Sequence, residues 1–346
     1  MTEVATAASP TSTAKAPTSY TVVALGGDGI GPEVMREAVR ALGALPVEIA
    51  IDERPFGGPG IRECGDPLPA ATLRACLAAD AVLLAAVGSP EYERAAVRPE
   101  QGLLRLRKEL GVFANLRPVR DDGVDVMIVR ELSGGLYYGR KGRTTDGMAF
   151  DTCEYHPWQI ERIARRAFEL ARGRRGHLTL ADKYGVLETS RLWREVVDDV
   201  GVEYPDVTVD MMLVDNAAMQ LVRDPGRFDV LLTENTFGDI LSDVAAVATG
   251  GVGLAPSASL AESGPGIFEP IHGSAPDIAG QGSANPAAML RSAVLMLEHG
   301  LQRSDLAQLL AAAVDTALGS TLTPDRGGTA TTASFGDAVV AALAGA

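Results

Sequence analysis

Asp239 and Asp243 stand four residues apart in Asp239-Ile-Leu-Ser-Asp243, just after Asn235-Thr-Phe-Gly238. On a helix that spacing puts both carboxylates on one face, where they repel unless a cation lies between them. With a third carboxylate, Asp215, they make a hard-oxygen set suited to Mg2+ or Mn2+ and unsuited to zinc. An aspartate pair near a helix start is also a common match to the helix dipole, so it gains meaning only from its company. Three arginines are that company: Arg107 follows a helical pattern, Arg117 a turn and Arg130 a buried-strand pattern. Guanidinium forks converging from three elements would hold a dicarboxylate bidentately. Arg117 and Arg130 lie directly beside apolar runs, which argues against plain solvated surface. Leu103 and Leu104, ordinarily core residues, equally suit the wall of a pocket for an alkyl group. Tyr137 and Lys183 complete the set, since a lysine desolvated among carboxylates can serve as a base and a tyrosine as an acid. Either one alone is usually structural.

Two glycine-rich stretches need separate readings. Gly26-Gly-Asp-Gly-Ile-Gly-Pro32 lacks the G-x-G-x-x-G spacing of a Rossmann fingerprint and signals a tight turn. Glu269-Pro-Ile-His-Gly-Ser-Ala-Pro-Asp-Ile-Ala-Gly280, running on to Asn285, is the better candidate for a dinucleotide. A loop with an exposed His and Asp can hold an adenosine, the Asp accepting from ribose hydroxyls.

The elements that must carry these residues alternate. Residues 20–25 read as a strand, and Pro32 then opens a helix with Val34, Ala38, Val39 and Leu42 in a stripe. Residues 81–87, 124–129 and 230–233 are continuous apolar runs, the mark of strands covered on both faces. Residues 157–172 form a helix with Ile160, Ile163, Ala164, Ala167 and Phe168 inward, and 188–200 another with Leu192, Val196 and Val197 inward. Residues 178–181 are strand-like, 250–266 loop-like, and 285–300 resume a helix. The alternation predicts an α/β fold.

Composition narrows the classes. At 346 residues with 46% hydrophobic and 22% charged content, the chain is a folded protein long enough for two lobes. A net charge of −14 argues against general nucleic-acid binding yet leaves room for an anionic substrate, because a few local arginines reverse the field. Cys64, Cys76 and Cys153 show no CxxC spacing and fit reduced thiols in a cytoplasmic setting. No apolar run approaches a membrane span. Residues 1–19 are set aside as a disordered tail, rich in Ala, Thr, Ser and Pro with Lys15 its one basic residue.

In combination, GDGIGPEV (27–34), FANLRP, RELSGGLYYG, FGDILSD and FEPIHGSAPDIAG resemble the β-decarboxylating dehydrogenases, the family of 3-isopropylmalate, isocitrate, homoisocitrate and tartrate dehydrogenases. The likeness runs from about residue 21 to 335 and is greatest to the 3-isopropylmalate branch. It implies a two-lobed fold that is not a Rossmann fold, with 20–112 plus 250–346 in the first lobe and 113–249 in the second. It implies NAD-dependent oxidative decarboxylation of (2R,3S)-3-isopropylmalate to 4-methyl-2-oxopentanoate and CO2, the leucine-pathway reaction, in a homodimer with shared active sites. By the same resemblance Arg107, Arg117 and Arg130 bind the malate carboxylates, and Glu100, Leu103 and Leu104 face the side chain and nicotinamide. Asp239 and Asp243 bind the metal with Asp215 of the other chain, which also faces the substrate; Lys183 of that chain is the base and Tyr137 the acid. His272, Gly273, Ser274, Ala275, Pro276, Asp277 and Asn285 hold the adenosine, Asp277 favouring NAD over NADP. Three features depart from the family pattern. Asp182-Lys-Tyr-Gly185 replaces Asp/His-Lys-x-Asn, the 119–123 stretch is shortened, and the N-terminal tail is extra. The first departure motivates an alternative substrate, another 3-substituted malate of the homoisocitrate, methylmalate or tartrate kind.

Overall fold

In the computed structural model, residues 19–121, 123–248 and 250–345 are described. The expected tail therefore lies outside the described residues except for Ser19, which is already in the first strand. The chain opens with β1 (Ser19–Gly27), α1 (Gly31–Gly43), β2 (Glu48–Glu53), α2 (Gly58–Cys64), α3 (Ala70–Ala78), β3 (Ala81–Ala86) and α4 (Pro99–Glu109). There follow β4 (Ala114–Asp121), β5 (Val124–Glu131), a short hairpin β6 (Lys141–Arg143) and β7 (Ala149–Asp151), α5 (Pro157–Arg172), β8 (His177–Asp182) and α6 (Glu188–Gly201). Then come β9 (Thr208–Leu213), α7 (Val214–Arg223), β10 (Val230–Thr233), α8 (Asn235–Ala248), β11 (Pro256–Leu260) and β12 (Gly266–Pro270). Helices α9 (Ala287–Leu295), α10 (Ser304–Ser320) and α11 (Thr332–Ala344) close the chain.

Ten strands join one sheet in the order β2-β1-β3-β12-β11-β4-β5-β10-β8-β9. All strands from 19–112 and 250–345 lie in one half and those from 113–248 in the other, meeting where β11 pairs antiparallel with β4. Pairing is parallel within each half except around β11 and β4, where three antiparallel contacts reverse the direction. The expected helix at 157–172 is α5, with its five predicted inward residues fully buried. In α6 the inward line is Trp193, Val197 and Val200, with Leu192 and Val196 only flanking it. The 285–300 helix ends as an α-helix at Leu295 and closes with a π-turn, Met296–Gly300.

One expectation fails. The 250–266 stretch is not simply loop, because Pro256–Leu260 is a buried strand in the middle of the sheet. Its sequence, PSASL, has no β-branched residue to announce it, and strand propensity reports mainly how a side chain fits its neighbours. Neighbours on both sides supply the pairing.

Side chains alternate across a strand, so the two faces of the sheet can be compared directly. One face carries a continuous core from Val22 and Leu83 through Ala258, Leu116 and Val129 to Leu180 and Leu232. The other face holds two separate cores, one with Leu25, Leu84 and Leu106 and one with Ile128, Leu231 and Leu241. Between them the same face is buried but polar: Glu269, Ser257, Ser259, Asn115, Arg117 and Arg130.

The Gly26–Gly31 turn does more than reverse the chain. Asp28 is buried, and its carboxylate accepts from the backbone N–H groups of Gly58 (2.9 Å) and Gly88 (3.0 Å), tying α2 and the end of β3 to the turn. Gly29, at φ 56°, lets the turn touch the 270–285 loop, and Ile30 N donates to Ser274 O at 2.8 Å. Asp28→Ala strands two buried N–H groups and is expected to cost about 2–4 kcal/mol of unfolding free energy in urea titrations. Burial raises the Asp28 pKa above its ordinary value of 3.8, against the two backbone N–H groups that lower it. The native state thus holds that proton more tightly than the unfolded chain. Relative to Asp28→Asn, the wild type should gain stability as pH falls from the raised pKa toward 3.8.

Candidate active site

The polar seam is built around one carboxylate. Asp239, in the second turn of α8, takes Arg130 Nη1 and Arg117 Nη2 (3.3 Å) on Oδ1 and the Tyr137 hydroxyl (2.8 Å) on Oδ2. Arg117 also donates to Asn115 (2.7 Å) and Ser242 (2.5 Å), and Arg130 donates from Nε (3.0 Å) and Nη2 (2.8 Å) to Asn235 Oδ1. Gly238 makes this approach possible, because a Cβ there would lie 2.3 Å from Thr233 Oγ1 and 2.7 Å from Arg130 Cγ. Arg107 reaches the same place from α4 and pairs with Glu269 at 2.8 Å, while its Nε is buried with no partner among the described residues.

Charges so placed perturb one another. Burial, with Arg117 alongside, pulls the Arg130 pKa down to about 10, and Asp239 pulls the other way; the group stays cationic at neutral pH. Burial raises Asp239, but Arg130, Arg117, Tyr137 and Arg107 outweigh it and hold the carboxyl below its ordinary range. Asp243, one turn on and 3.7 Å from Arg117, is pushed up by burial. Burial and then the hydrogen bond to Asp239 push the Tyr137 pKa up, so its proton is retained at neutral pH.

Glu100, Leu103, Leu104 and Arg107 occupy i, i+3, i+4 and i+7 of α4 and so share a face. A cleft of about 510 Å³ is lined by Glu100, Leu103, Leu104, Leu136, Tyr137 and Lys141. A second, of about 530 Å³, runs between Gly88, Glu100, Leu104, Ser274 and Pro276. Glu100 and Leu104 belong to both, so the two clefts adjoin.

The Iso_dh family, described as isocitrate/isopropylmalate dehydrogenase, matches residues 21–339. The chain belongs to that family. It is 49% identical over 342 residues to the 3-isopropylmalate dehydrogenase of Streptococcus thermophilus, covering 93% of this chain and 99% of the relative. It is 50% identical over 338 residues to the enzyme of the same name from Bacillus cereus, covering 92% and 95%. Among solved structures, the isocitrate dehydrogenase of Methylococcus capsulatus superposes with a TM-score of 0.88 at 35% identity, covering 94% of this chain and 99% of that one. A β-decarboxylating dehydrogenase from Thermococcus kodakarensis gives 0.82 at 38%, covering 94% and 96%. The chain is a decarboxylating dehydrogenase, and its mixed α/β sheet is the fold of this family.

Within that family frame, the loop expected to hold adenosine is anchored at both ends. Ser274 is buried against the first turn, and Ala275 has φ 39°, a conformation uncommon outside glycine and held here by its surroundings. Burial lowers the His272 pKa, Nδ1 lies 2.9 Å from Gly273 O, and Nε2 is buried without a partner among the described residues. Gly273 and Asp277 are exposed. Asn285 is committed locally, donating to Asp325 at 3.0 Å and accepting from Ala287 N at 3.0 Å, which secures the start of α9.

Lys183 and Asp215 form a pair of their own at 2.9 Å, at the end of β8 and the start of α7. No three metal-ligating side chains gather among the described residues, so Asp215 does not join Asp239 and Asp243 within one chain. Sequence reasoning missed Asn235, Asn115, Ser242, Glu269 as the partner of Arg107, and Asp28. The one signal for Asn235 is its place, a polar residue two positions beyond the apolar β10 run. Arg130→Met leaves Asn235 and Asp239 short of a buried partner and is expected to cost about 2–4 kcal/mol by urea denaturation. Arg120→Met, which breaks an exposed pair with Asp125, should cost under about 1 kcal/mol.

Proposed function

We propose that this chain oxidises and decarboxylates (2R,3S)-3-isopropylmalate to 4-methyl-2-oxopentanoate, with NAD as oxidant and Mg2+ or Mn2+ bound, as the leucine-pathway enzyme of a cytoplasm. One observation carries the reading: three buried guanidiniums gather in the polar seam, and Arg107, whose Nε has no partner among the described residues, shares a face of α4 with Leu103 and Leu104. That arrangement suits a dicarboxylate bearing a branched alkyl group. The names of the relatives support it.

Arg107, Arg117 and Arg130 hold the two carboxylates, and Leu103 and Leu104 receive the isopropyl group. Glu100, at the join of the two clefts, faces the nicotinamide. His272 through Asp277, with Asn285, hold the adenosine end, where the exposed Asp277 carboxylate would repel a 2′-phosphate. Asp239 and Asp243 offer hard oxygens on consecutive turns, and Asp215 of the partner subunit would complete a set fitting Mg2+ or Mn2+. When bound, the ion supplies Lewis acidity to the 2-hydroxyl and NAD supplies the hydride acceptor. Lys183 of the partner subunit takes the hydroxyl proton, through a water, and Tyr137 gives its proton to C3 after CO2 leaves. Asp239 Oδ2 must release Tyr137 for that donation.

The two-lobed division at the β11–β4 junction and the homodimer belong to the same reading. Met219 and Val222 on α7 and Ile240 and Val247 on α8 are exposed, and every residue of the β6–β7 hairpin is exposed, Met148 and Phe150 among them. A lone two-stranded hairpin is marginal in water, and contiguous exposed apolar groups mark contact surfaces. Ile240→Glu with Val247→Glu should yield a monomer by light scattering and, with it, lose activity.

A panel of 3-alkyl- and 3-hydroxymalates with NAD or NADP and Mg2+ or Mn2+ tests the substrate. Strong NADH formation from 3-isopropylmalate, abolished by EDTA and restored by either ion, is expected. Turnover of a different malate alone would overturn the isopropyl assignment. Gly185 is the observation favouring that second reading, because the family's Asn is absent there. A Cβ at 185 would meet nothing within 4 Å, so Gly185→Asn should keep the melting temperature while changing KM for NAD or the ranking of malates.

A further inference from the structure

Lys183 sits on a turn with little packing of its own. Tyr184 is 44% and Val186 73% exposed, and Gly185 between them has open space around it. The backbone is nevertheless held at every step. Lys183 N donates to Ser190 Oγ at 3.1 Å, and Lys183 O accepts from Val186 N and Leu187 N, each at 3.1 Å. Tyr184 N donates to Asp182 Oδ1 at 3.1 Å, and Tyr184 O accepts from Arg191 Nε at 3.2 Å. Asp182 is 2% exposed, and Arg194 grips both its oxygens, Nη2 at 3.1 Å and Nε closer. The Tyr184 ring then closes over that guanidinium, 3.7 Å from its centroid to Arg194 Cζ.

We propose that the Tyr184–Arg194 stack is a positioning device for Lys183, clamping Asp182 and the turn so that the Lys183 amine points at Asp215 and not back at its own chain neighbour. The inference rests on the reading of Lys183 as the proton acceptor. Two physical effects carry it. Asp182 is buried and adjacent in sequence to Lys183, so without Arg194 its carboxylate would be an unpaired buried charge competing with Asp215 for the ammonium. The Tyr184 ring, a cation–π partner at van der Waals distance, holds the planar fork square to Asp182 and keeps water from its outer face. Gly185, next to Tyr184, is a position at which this chain leaves the Asp/His-Lys-x-Asn pattern. The stack braces from one side a turn that Gly185, lacking a side chain, leaves unbraced on the other.

The test is steady-state and single-turnover kinetics of the metal- and NAD-loaded enzyme, with 3-isopropylmalate and its 2-deuterated form. Tyr184→Leu keeps apolar bulk without a ring and should lower kcat about 5- to 20-fold, with both KM values within about twofold and a larger deuterium isotope effect on kcat. Tyr184→Phe keeps the ring and should restore kcat to within about twofold. Arg194→Lys keeps the charge without the fork and should fall between. Lys183→Met, run alongside, separates the two layers of argument. Lys183→Met inactive with Tyr184→Leu at wild-type kcat overturns the clamp alone. Turnover by Lys183→Met overturns the proton-acceptor reading beneath it. A Tyr184→Leu loss that tracks melting temperature, or that Tyr184→Phe fails to rescue, also overturns the clamp.

Discussion

Two buried guanidiniums share one carboxylate at the middle of the sheet, and most of the structure serves that contact. Arg117 and Arg130 stand beside each other with almost no exposure, and like charges repel strongly where water is excluded. Asp239 offsets the repulsion, while Asn115, Asn235 and Ser242 take the remaining N–H groups. With Arg107 and Glu269 added, three buried cations face the buried Glu269, the half-buried Asp239 and the exposed Asp243. The seam gathers buried cations in a chain whose net charge is −14, which is how an acidic protein can receive an anion locally.

That seam dictates its surroundings. It interrupts one face of the sheet, so the apolar core there is split in two, and cohesion falls to the continuous core on the opposite face. The strand that crosses the seam, β11, contributes only small residues: Ser257 and Ser259 toward the charges, Ala258 toward the core. Bulkier side chains would leave no room for Asn115, whose amide donates to Ser259 Oγ at 3.0 Å. Gly238 serves the same end from α8, admitting the Arg130 stem where any Cβ would collide. The first turn supports the site from farther off, through Asp28 on the end of β3 and Ile30 on Ser274.

What was legible in the sequence divides along these lines. Apolar runs such as 81–87 and 230–233 report burial directly, and the α5 stripe reports its inward face, because both follow from period and hydrophobicity. The burial of Arg117 and Arg130 in a polar seam was legible because charges beside apolar runs require compensation. β11 was not legible, since its small residues are chosen by what lies across from them, an effect without local periodicity. Asn235 and Ser242 escaped for the same reason, their role fixed by long-range geometry to Arg130 and Arg117. Trp193 in α6 was passed over in favour of aliphatic neighbours one position away, a rotation that periodicity alone does not resolve.

The titrating groups bear on the proposal that the site is divided between two chains. Asp239 is held ionised by arginines, whereas Asp243, one turn away with a single long contact to Arg117, is driven toward its neutral form by burial. The hydrogen bond from half-buried Lys183 holds the exposed Asp215 carboxyl below its ordinary range. In the proposed dimer, a partner subunit supplying Asp215 and Lys183 as an ion pair would bring a net charge of zero to a cleft already dense with charge.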